Sequence, residues 1–82
     1  MYRRKVTEIP LSMICANPSQ PRKIFQEEEL SELAASIQEF GVIQPIIVKR
    51  DKLGKYMLIA GERRTKAAAL AGLTKIPAVI RE

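Results

Sequence analysis

The sequence predicts a small α+β domain, in which a mixed sheet of about four short strands packs with two main helices. Three observations support this fold class: one apolar stripe with helical spacing, two β-rich runs on either side of a glycine-containing turn, and an alanine-rich helical segment after the second run. The 82 residues are expected to form one domain over 1–82, because so short a chain cannot divide its core in two.

The chain is predicted to begin with a short strand and a helical turn. Residues 6–9 are β-rich, and the strand is expected to stop at Pro10, because proline cannot donate to a sheet ladder. Residues 11–14 then fit a single helical turn.

A proline-stiffened loop is predicted over residues 15–24. Pro18 and Pro21 hold the residues before them in extended conformations, so regular structure is not expected there. The loop would present Gln20 and Arg22.

The strongest helix prediction covers residues 26–40. Four apolar residues fall at i, i+3, i+4 and i+7 and form one face: Leu30, Leu33, Ala34 and Ile37. Gly41 is expected to end the helix, and Pro45 prevents its continuation.

A hairpin and a strand-helix-strand segment complete the chain. Residues 46–50 and 55–60 are predicted strands that flank a turn at 51–54. A helix over residues 62–70, ending by Gly72, and a strand over 76–80 follow. Because the chain ends directly after this strand, we expect the native protein to continue.

Composition restricts the chemistry. The chain is 46% hydrophobic and 28% charged, which is typical of a globular domain, and its apolar runs are too short for a membrane span. Cys15 is the single cysteine and histidine is absent, which excludes an internal disulfide, a Cys/His zinc site and Ser-His or Cys-His triads. No signal peptide is visible, and a reducing cytoplasm fits best.

The positive charge lies mostly in the second half of the chain. Residues 1–41 hold five Lys/Arg and six Asp/Glu, whereas residues 42–82 hold nine and three. This excess suits a nucleotide or a nucleic acid, although a solvated basic surface would give the same numbers.

The junction between the strand ending at residue 60 and the next helix is a candidate anion site. The first amides of a helix lack partners within the helix, and the helix dipole is positive there. Gly61 permits close approach, and Arg63 and Arg64 add forked donors that match phosphate oxygens. The alternative is a solvated helix start, since the segment is neither a P-loop nor a GxGxxG turn.

Four motifs resemble, in order and spacing, the N-terminal domain of the ParB family. They are NPSQPR at 17–22, GVIQPI at 41–46, GERRTKAA at 61–68, and LAGLTKIPA at 70–78. The resemblance covers nearly the whole chain and includes the chromosome-partition and nucleoid-occlusion branches. It implies a ParB/sulfiredoxin-like fold that binds CTP.

The resemblance also implies the residues of the site. The expected phosphate-binding set is Gln20, Arg22, Gly61, Glu62, Arg63 and Arg64, with Gly41 and Gln44 on the base side. It implies Mg²⁺ as a second ligand, held by a glutamate beyond Glu82, so no metal ligand and no catalytic residue is assigned within this chain. Nucleotide binding by this chain alone is expected to be weak or incomplete.

For the intact protein, the resemblance implies a homodimer that loads at a centromere-like DNA site. The dimer would then slide along DNA as a CTP-switched clamp, and CTP hydrolysis would release it. The helix-turn-helix that reads the DNA would lie outside this chain. A ParA-type ATPase is the partner implied for chromosome or plasmid segregation, and the expected location is the cytoplasm, on the nucleoid.

Two departures from the family pattern stand out. The family usually has a bulky residue and then arginine where this chain has Thr65 and Lys66, and lysine keeps the charge but loses the fork. Gln26 replaces the usual helix-capping aspartate, which bears on stability more than on function.

Other function classes stay open at this point. The same fold carries nuclease-like and sulfiredoxin-like proteins, but Asp51 is the only aspartate, and Cys15 lies far in sequence from the Gly61 turn where sulfiredoxins place a reactive cysteine. A passive interaction domain would use the acidic helix face that carries Glu28, Glu32 and Glu39.

Overall fold

The computed structural model describes residues 5–15 and 26–81, so the predicted site residues Gln20 and Arg22 lie outside the described part. The elements are β1 (Val6–Pro10), a 3-10 turn (Leu11–Met13), β2 (Ile14–Cys15), α1 (Glu27–Phe40), β3 (Ile46–Arg50), β4 (Tyr56–Ala60), α2 (Glu62–Leu70) and β5 (Lys75–Arg81). Neither helix is long and apolar enough to traverse a bilayer.

The strands form one mixed sheet in the order β1-β5-β3-β4-β2. β1 pairs with β5, and β3 with β4, in antiparallel fashion, whereas the pairs β3-β5 and β2-β4 are parallel. The α+β class is confirmed, with five strands rather than about four. The additional strand is β2, where Ile14 and Cys15 pair with Tyr56 and Met57 of β4.

Each of the two prolines in strands, Pro10 and Pro77, lies where the sheet does not need its N–H as a hydrogen-bond donor. β1 extends through Pro10, one residue beyond the predicted end, because β1 is an edge strand. Pro77 of β5 faces Glu8 of β1, and the pairing of β5 with β3 begins only at the next residue, Ala78.

Helix α1 follows its sequence prediction closely. Gln26 is its N-cap and makes no side-chain capping hydrogen bond, as its departure from aspartate suggests. Ala34 and Ile37 are the buried residues of the apolar face. The helix ends at Phe40, and Gly41 continues the chain at a φ of 77°, a backbone conformation that favours glycine.

The β3-β4 hairpin is closed by the side chain of Asp51. Its Oδ1 accepts the N–H of Leu53 at 2.8 Å and of Lys55 at 2.9 Å. The Asp51 N–H donates to the Lys55 carbonyl at 2.8 Å. This turn therefore lies at one end of β3 and β4, opposite the end where β4 runs into Gly61.

Helix α2 lies between the sheet and α1. Ala68 is fully buried in the cluster that contains the inward side chains of the sheet, among them Ile46 and Val48. The neighbouring Ala67 is also fully buried and packs against Ala34 and Ile37 of α1. The small alanine side chains thus let α2 contact a layer on each side.

The two helices run in the same direction. Arg63 near the start of α2 pairs with Glu29 near the start of α1. Gln38, near the end of α1, donates through Nε2 to the Ala71 carbonyl at 3.2 Å, just after α2 ends. Because the helices are parallel, the loop after α1 begins near the end of α2 and runs back to the start of α2, where Arg64 donates to the carbonyls of Gln44 and Pro45. A cleft lies between α1, this loop and the start of α2.

Candidate functional site

The cleft has a volume of about 530 Å³, within the range of small-molecule sites. Its lining comes from α1, from the loop that follows it, and from the start of α2. The lining residues are Leu33, Ser36, Ile37, Gly41, Val42, Ile43, Gln44, Gly61, Glu62, Arg63 and Arg64. The cleft therefore brings together six of the eight predicted site residues; the other two, Gln20 and Arg22, lie outside the described residues.

Gly61 is required by its surroundings as well as by its backbone. Its φ is +108°, and an added Cβ would lie 2.6 Å from Ile46 Cγ2 and 3.2 Å from Arg64 Nη1. The first distance is far inside van der Waals contact. No other residue type fits between β4 and α2 without displacing Ile46 of β3.

The first turn of α2 begins directly at this glycine. The Gly61 carbonyl accepts the Thr65 N–H at 2.9 Å and the Thr65 hydroxyl at 2.8 Å. Thr65, which departs from the family pattern, thus stabilises the first turn. The helix N-terminus at the cleft carries amides without partners in the helix and the positive end of the dipole, which together favour an anion.

Arg63 lines the cleft with a long, half-exposed cationic side chain. Its Nη2 lies 3.6 Å from Glu29 Oε2, and both side chains are about half exposed, at 54% and 53%. An ion pair that is this exposed contributes little to stability. Arg63 can therefore leave Glu29 for a stronger anion such as phosphate.

Arg64 is held differently. Its Nη1 donates to the Pro45 carbonyl at 2.9 Å, a partly buried hydrogen bond, and to the Gln44 carbonyl at 3.4 Å. The guanidinium of α2 is thereby connected to the backbone of the loop that precedes β3. The sequence analysis predicted the charge of Arg64 but not this contact.

The cleft also has an apolar set of lining residues. Leu33 and Ile37 of α1 line it together with Val42 and Ile43 of the following loop, and Ser36 adds a hydroxyl. The sequence analysis predicted the apolar face of α1 but not that it lines a cleft. The available signal in the sequence was the apolar pair Val42 and Ile43 directly after the helix-ending Gly41; in the structure Ile43 is 84% exposed.

The described carboxylates do not form a metal site. Within residues 5–15 and 26–81, no group of three or more His, Cys, Asp or Glu side chains lies close enough together to hold a metal ion. Glu62 is the carboxylate that lines the cleft. The prediction of Mg²⁺ therefore stays a prediction.

Comparison with known proteins identifies relatives over the whole domain. The profile of the ParB N-terminal domain matches residues 1–82. The probable chromosome-partitioning protein ParB of Treponema pallidum (strain Nichols) is 53% identical over 70 residues, which are 85% of this chain and 22% of that protein. The chain thus spans about a fifth of the length of that relative.

Solved structures agree on the fold. ParB of Caulobacter crescentus, C-terminally truncated and in complex with CTP-γ-S, superposes with a TM-score of 0.87 at 45% identity, covering 95% of this chain and 44% of that one. The same protein in complex with the centromeric parS site gives 0.87 at 46% identity, covering 93% and 40%.

A more distant protein shares the architecture. Sulfiredoxin from Arabidopsis thaliana gives a TM-score of 0.78 at 28% identity and covers 95% of this chain and 85% of its own. The ParB/sulfiredoxin-like fold class predicted from the sequence is therefore confirmed. The profile match over residues 1–82 and the 53% identity place this chain in the ParB N-terminal domain family.

Proposed function

We propose that this chain is the CTP-binding domain of a ParB-type partition protein and that the cleft between α1 and α2 holds the nucleotide. One observation carries the proposal: residues from two separate motifs, 41–46 and 61–68, line a single cleft of about 530 Å³. The crystallisation of the Caulobacter relative with CTP-γ-S supports the same ligand class.

Two sets of lining residues suit the two parts of a nucleotide. The start of α2 supplies helix amides, the bare backbone of Gly61 and the guanidinium groups of Arg63 and Arg64, which match a triphosphate. Glu62, at the first position of α2, would lie beside the phosphates. Gln20 and Arg22 are expected, from the family resemblance, to add contacts to the same phosphates.

The base would lie against α1 and the loop that follows it. The apolar side chains of α1 and of the loop after it can cover the faces of a flat ring, while backbone amides and carbonyls near Gly41 and Gln44 can bond its polar edge. Backbone groups around a ring edge can discriminate cytosine from other bases, because donors and acceptors differ at that edge.

The activity of the intact protein is proposed from its relatives. The complex of the Caulobacter protein with the parS site supports DNA as the partner, read by a domain outside this chain. A CTP-switched homodimeric clamp, CTP hydrolysis with Mg²⁺ and a ParA-type ATPase partner complete the proposal. The site of action would be the chromosome, in segregation or in nucleoid occlusion.

The enzyme alternatives lack comparable support. A sulfiredoxin-like reaction needs a reactive thiol at the site, and Cys15 belongs to β2, pairs with Met57 and does not line the cleft. A metal-dependent nuclease needs a cluster of ligands, and none occurs among the described residues.

Calorimetric titration of the full-length protein with CTP, UTP, ATP and GTP in the presence of Mg²⁺ tests the proposal. CTP should bind in preference to the other three, and Arg64→Ala should abolish binding. Lys75→Ala is the matched control, because Lys75 is an exposed cation at the start of β5 and does not line the cleft. Absence of a CTP preference, or an Arg64→Ala protein that binds like wild type, would refute the proposal.

A further inference from the structure

We propose that Arg64 is a positioning residue for the base-side loop, defined as residues 41–45, and that it thereby sets the selectivity of the site for the base. This inference rests on the proposed function, because it assumes that a nucleotide occupies the cleft. It assigns to Arg64 a role that Arg63, the neighbouring arginine in the same cleft, does not share.

The first support is the geometry of the loop. Its start is fixed by the Gly41 N–H, which donates to the Ile37 carbonyl at 2.7 Å, and its end joins Ile46, which is fully buried in the core. Between these ends, Arg64 Nη1 donates to the carbonyls of Gln44 and Pro45 at 3.4 and 2.9 Å. The position of the loop backbone is therefore tied to a side chain of α2.

The second support is the donor arrangement of arginine. A guanidinium carries five N–H groups in one rigid plane, and Nη1 supplies two of them. The three donors on Nε and Nη2 are left for a phosphate in the cleft that Arg64 lines. One rigid group can therefore bond the loop and the phosphate together, whereas the compact ammonium of lysine has no such planar fork.

Gly61 provides the space for this arrangement. A Cβ at position 61 would lie 3.2 Å from Arg64 Nη1, so the missing side chain leaves room for the guanidinium beside the loop. Arg63 offers the contrast: it pairs with Glu29 of α1, and its side chain is 54% exposed. The two arginines of the motif thus have separate tasks, Arg63 supplying charge and Arg64 supplying charge and loop position.

A charge-conserving pair of variants separates these tasks. In the full-length protein, we compare wild type, Arg64→Lys and Arg63→Lys by calorimetric titration with CTP and UTP, whose bases differ at one edge. Arg63→Lys should weaken both nucleotides by the same factor, leaving their affinity ratio unchanged. Arg64→Lys should weaken both and also lower the CTP/UTP ratio about fivefold, the effect of misplacing one hydrogen bond.

A second measurement needs no nucleotide. The peptide group between Pro45 and Ile46 carries the carbonyl that Arg64 bonds at 2.9 Å, so loss of this bond changes the amide nitrogen shift of Ile46. In ¹H–¹⁵N spectra of the nucleotide-free protein, Arg64→Lys should move the Ile46 resonance, and Arg63→Lys should leave it in place. Unchanged resonances of β1 and β5 verify that both variants are folded.

The outcomes distinguish this inference from the proposed function. A wild-type protein that shows no CTP preference overturns the proposed function and, with it, the selectivity role of Arg64. A wild-type protein with CTP preference whose ratio survives in Arg64→Lys overturns the inference alone. An Ile46 resonance that does not respond to Arg64→Lys also overturns it, because the loop would then not depend on the guanidinium.

Discussion

Replacing Gly61 by alanine tests how tightly β4, α2 and β3 meet at the cleft. The added Cβ would lie 2.6 Å from Ile46 Cγ2 and 3.0 Å from Ile46 Cβ. Ile46 is fully buried, so its branched side chain has no free space into which to move. The variant also places a side chain on a backbone with φ at +108°.

The cost of Gly61→Ala has two sources of known size. A non-glycine residue in the left-handed region costs roughly 1–2 kcal/mol, and overpacking a dense core costs about 1–3 kcal/mol. Gly54→Ala is the matched control, because Gly54 has a φ of +84° but nothing within 4 Å of its Cβ position. Gly54→Ala should therefore show the backbone cost alone, and Gly61→Ala the sum of about 2–5 kcal/mol.

Urea unfolding followed by circular dichroism measures both variants without a ligand. An 82-residue domain is expected to have about 4–12 kcal/mol of stability, so Gly61→Ala should remain partly or wholly folded while losing a large share of it. With a urea slope of about 1 kcal/mol per M, its midpoint should fall about 1–3 M below that of Gly54→Ala. Equal midpoints for the two variants would refute the close-contact argument.

Two further predictions concern stability away from the cleft. Gln26→Asp gives α1 the capping carboxylate that it lacks and should raise the free energy of unfolding by about 0.5–1 kcal/mol in the same urea assay. An unchanged midpoint would contradict the role of the cap. Asp51→Ala removes the acceptor of two backbone N–H groups in the hairpin turn and should lower the free energy of unfolding by about 0.5–1.5 kcal/mol. Asp51→Asn keeps Oδ1 and should lose less than half as much. Equal losses in the two variants would show that the charge, and not the acceptor, matters.

The elements that the sequence predicted best carry local signals. The stripe of α1 repeats at helical spacing from Leu30 to Ile37, and the β3-β4 hairpin surrounds a turn that Asp51 closes. β2 was missed because two residues cannot show a period. Its stabilising partner, Tyr56–Met57 of β4, lies 42 residues along the chain, so only the folded sheet reveals the pairing.

The candidate site, like the fold, could be predicted from the sequence only in part. The sequence predicted Arg63 and Arg64 as cations at a helix start, because helix dipoles and arginine forks follow from local sequence. The bond from Arg64 to the carbonyl of Pro45 could not be predicted, since the two residues lie 19 positions apart and a carbonyl acceptor leaves no mark on the sequence. The lining by Leu33 escaped notice because a residue that lines a cleft follows the same helical period as one in the core.

The bond between Arg64 and the loop has a consequence for how this family can diversify. Its acceptors are main-chain oxygens, which every amino acid carries, so substitutions at Gln44 leave the acceptor in place. Side chains of the loop can therefore change while one arginine on a neighbouring helix keeps the path of the backbone. Substitutions in this loop can then alter its outer surface without rebuilding the scaffold.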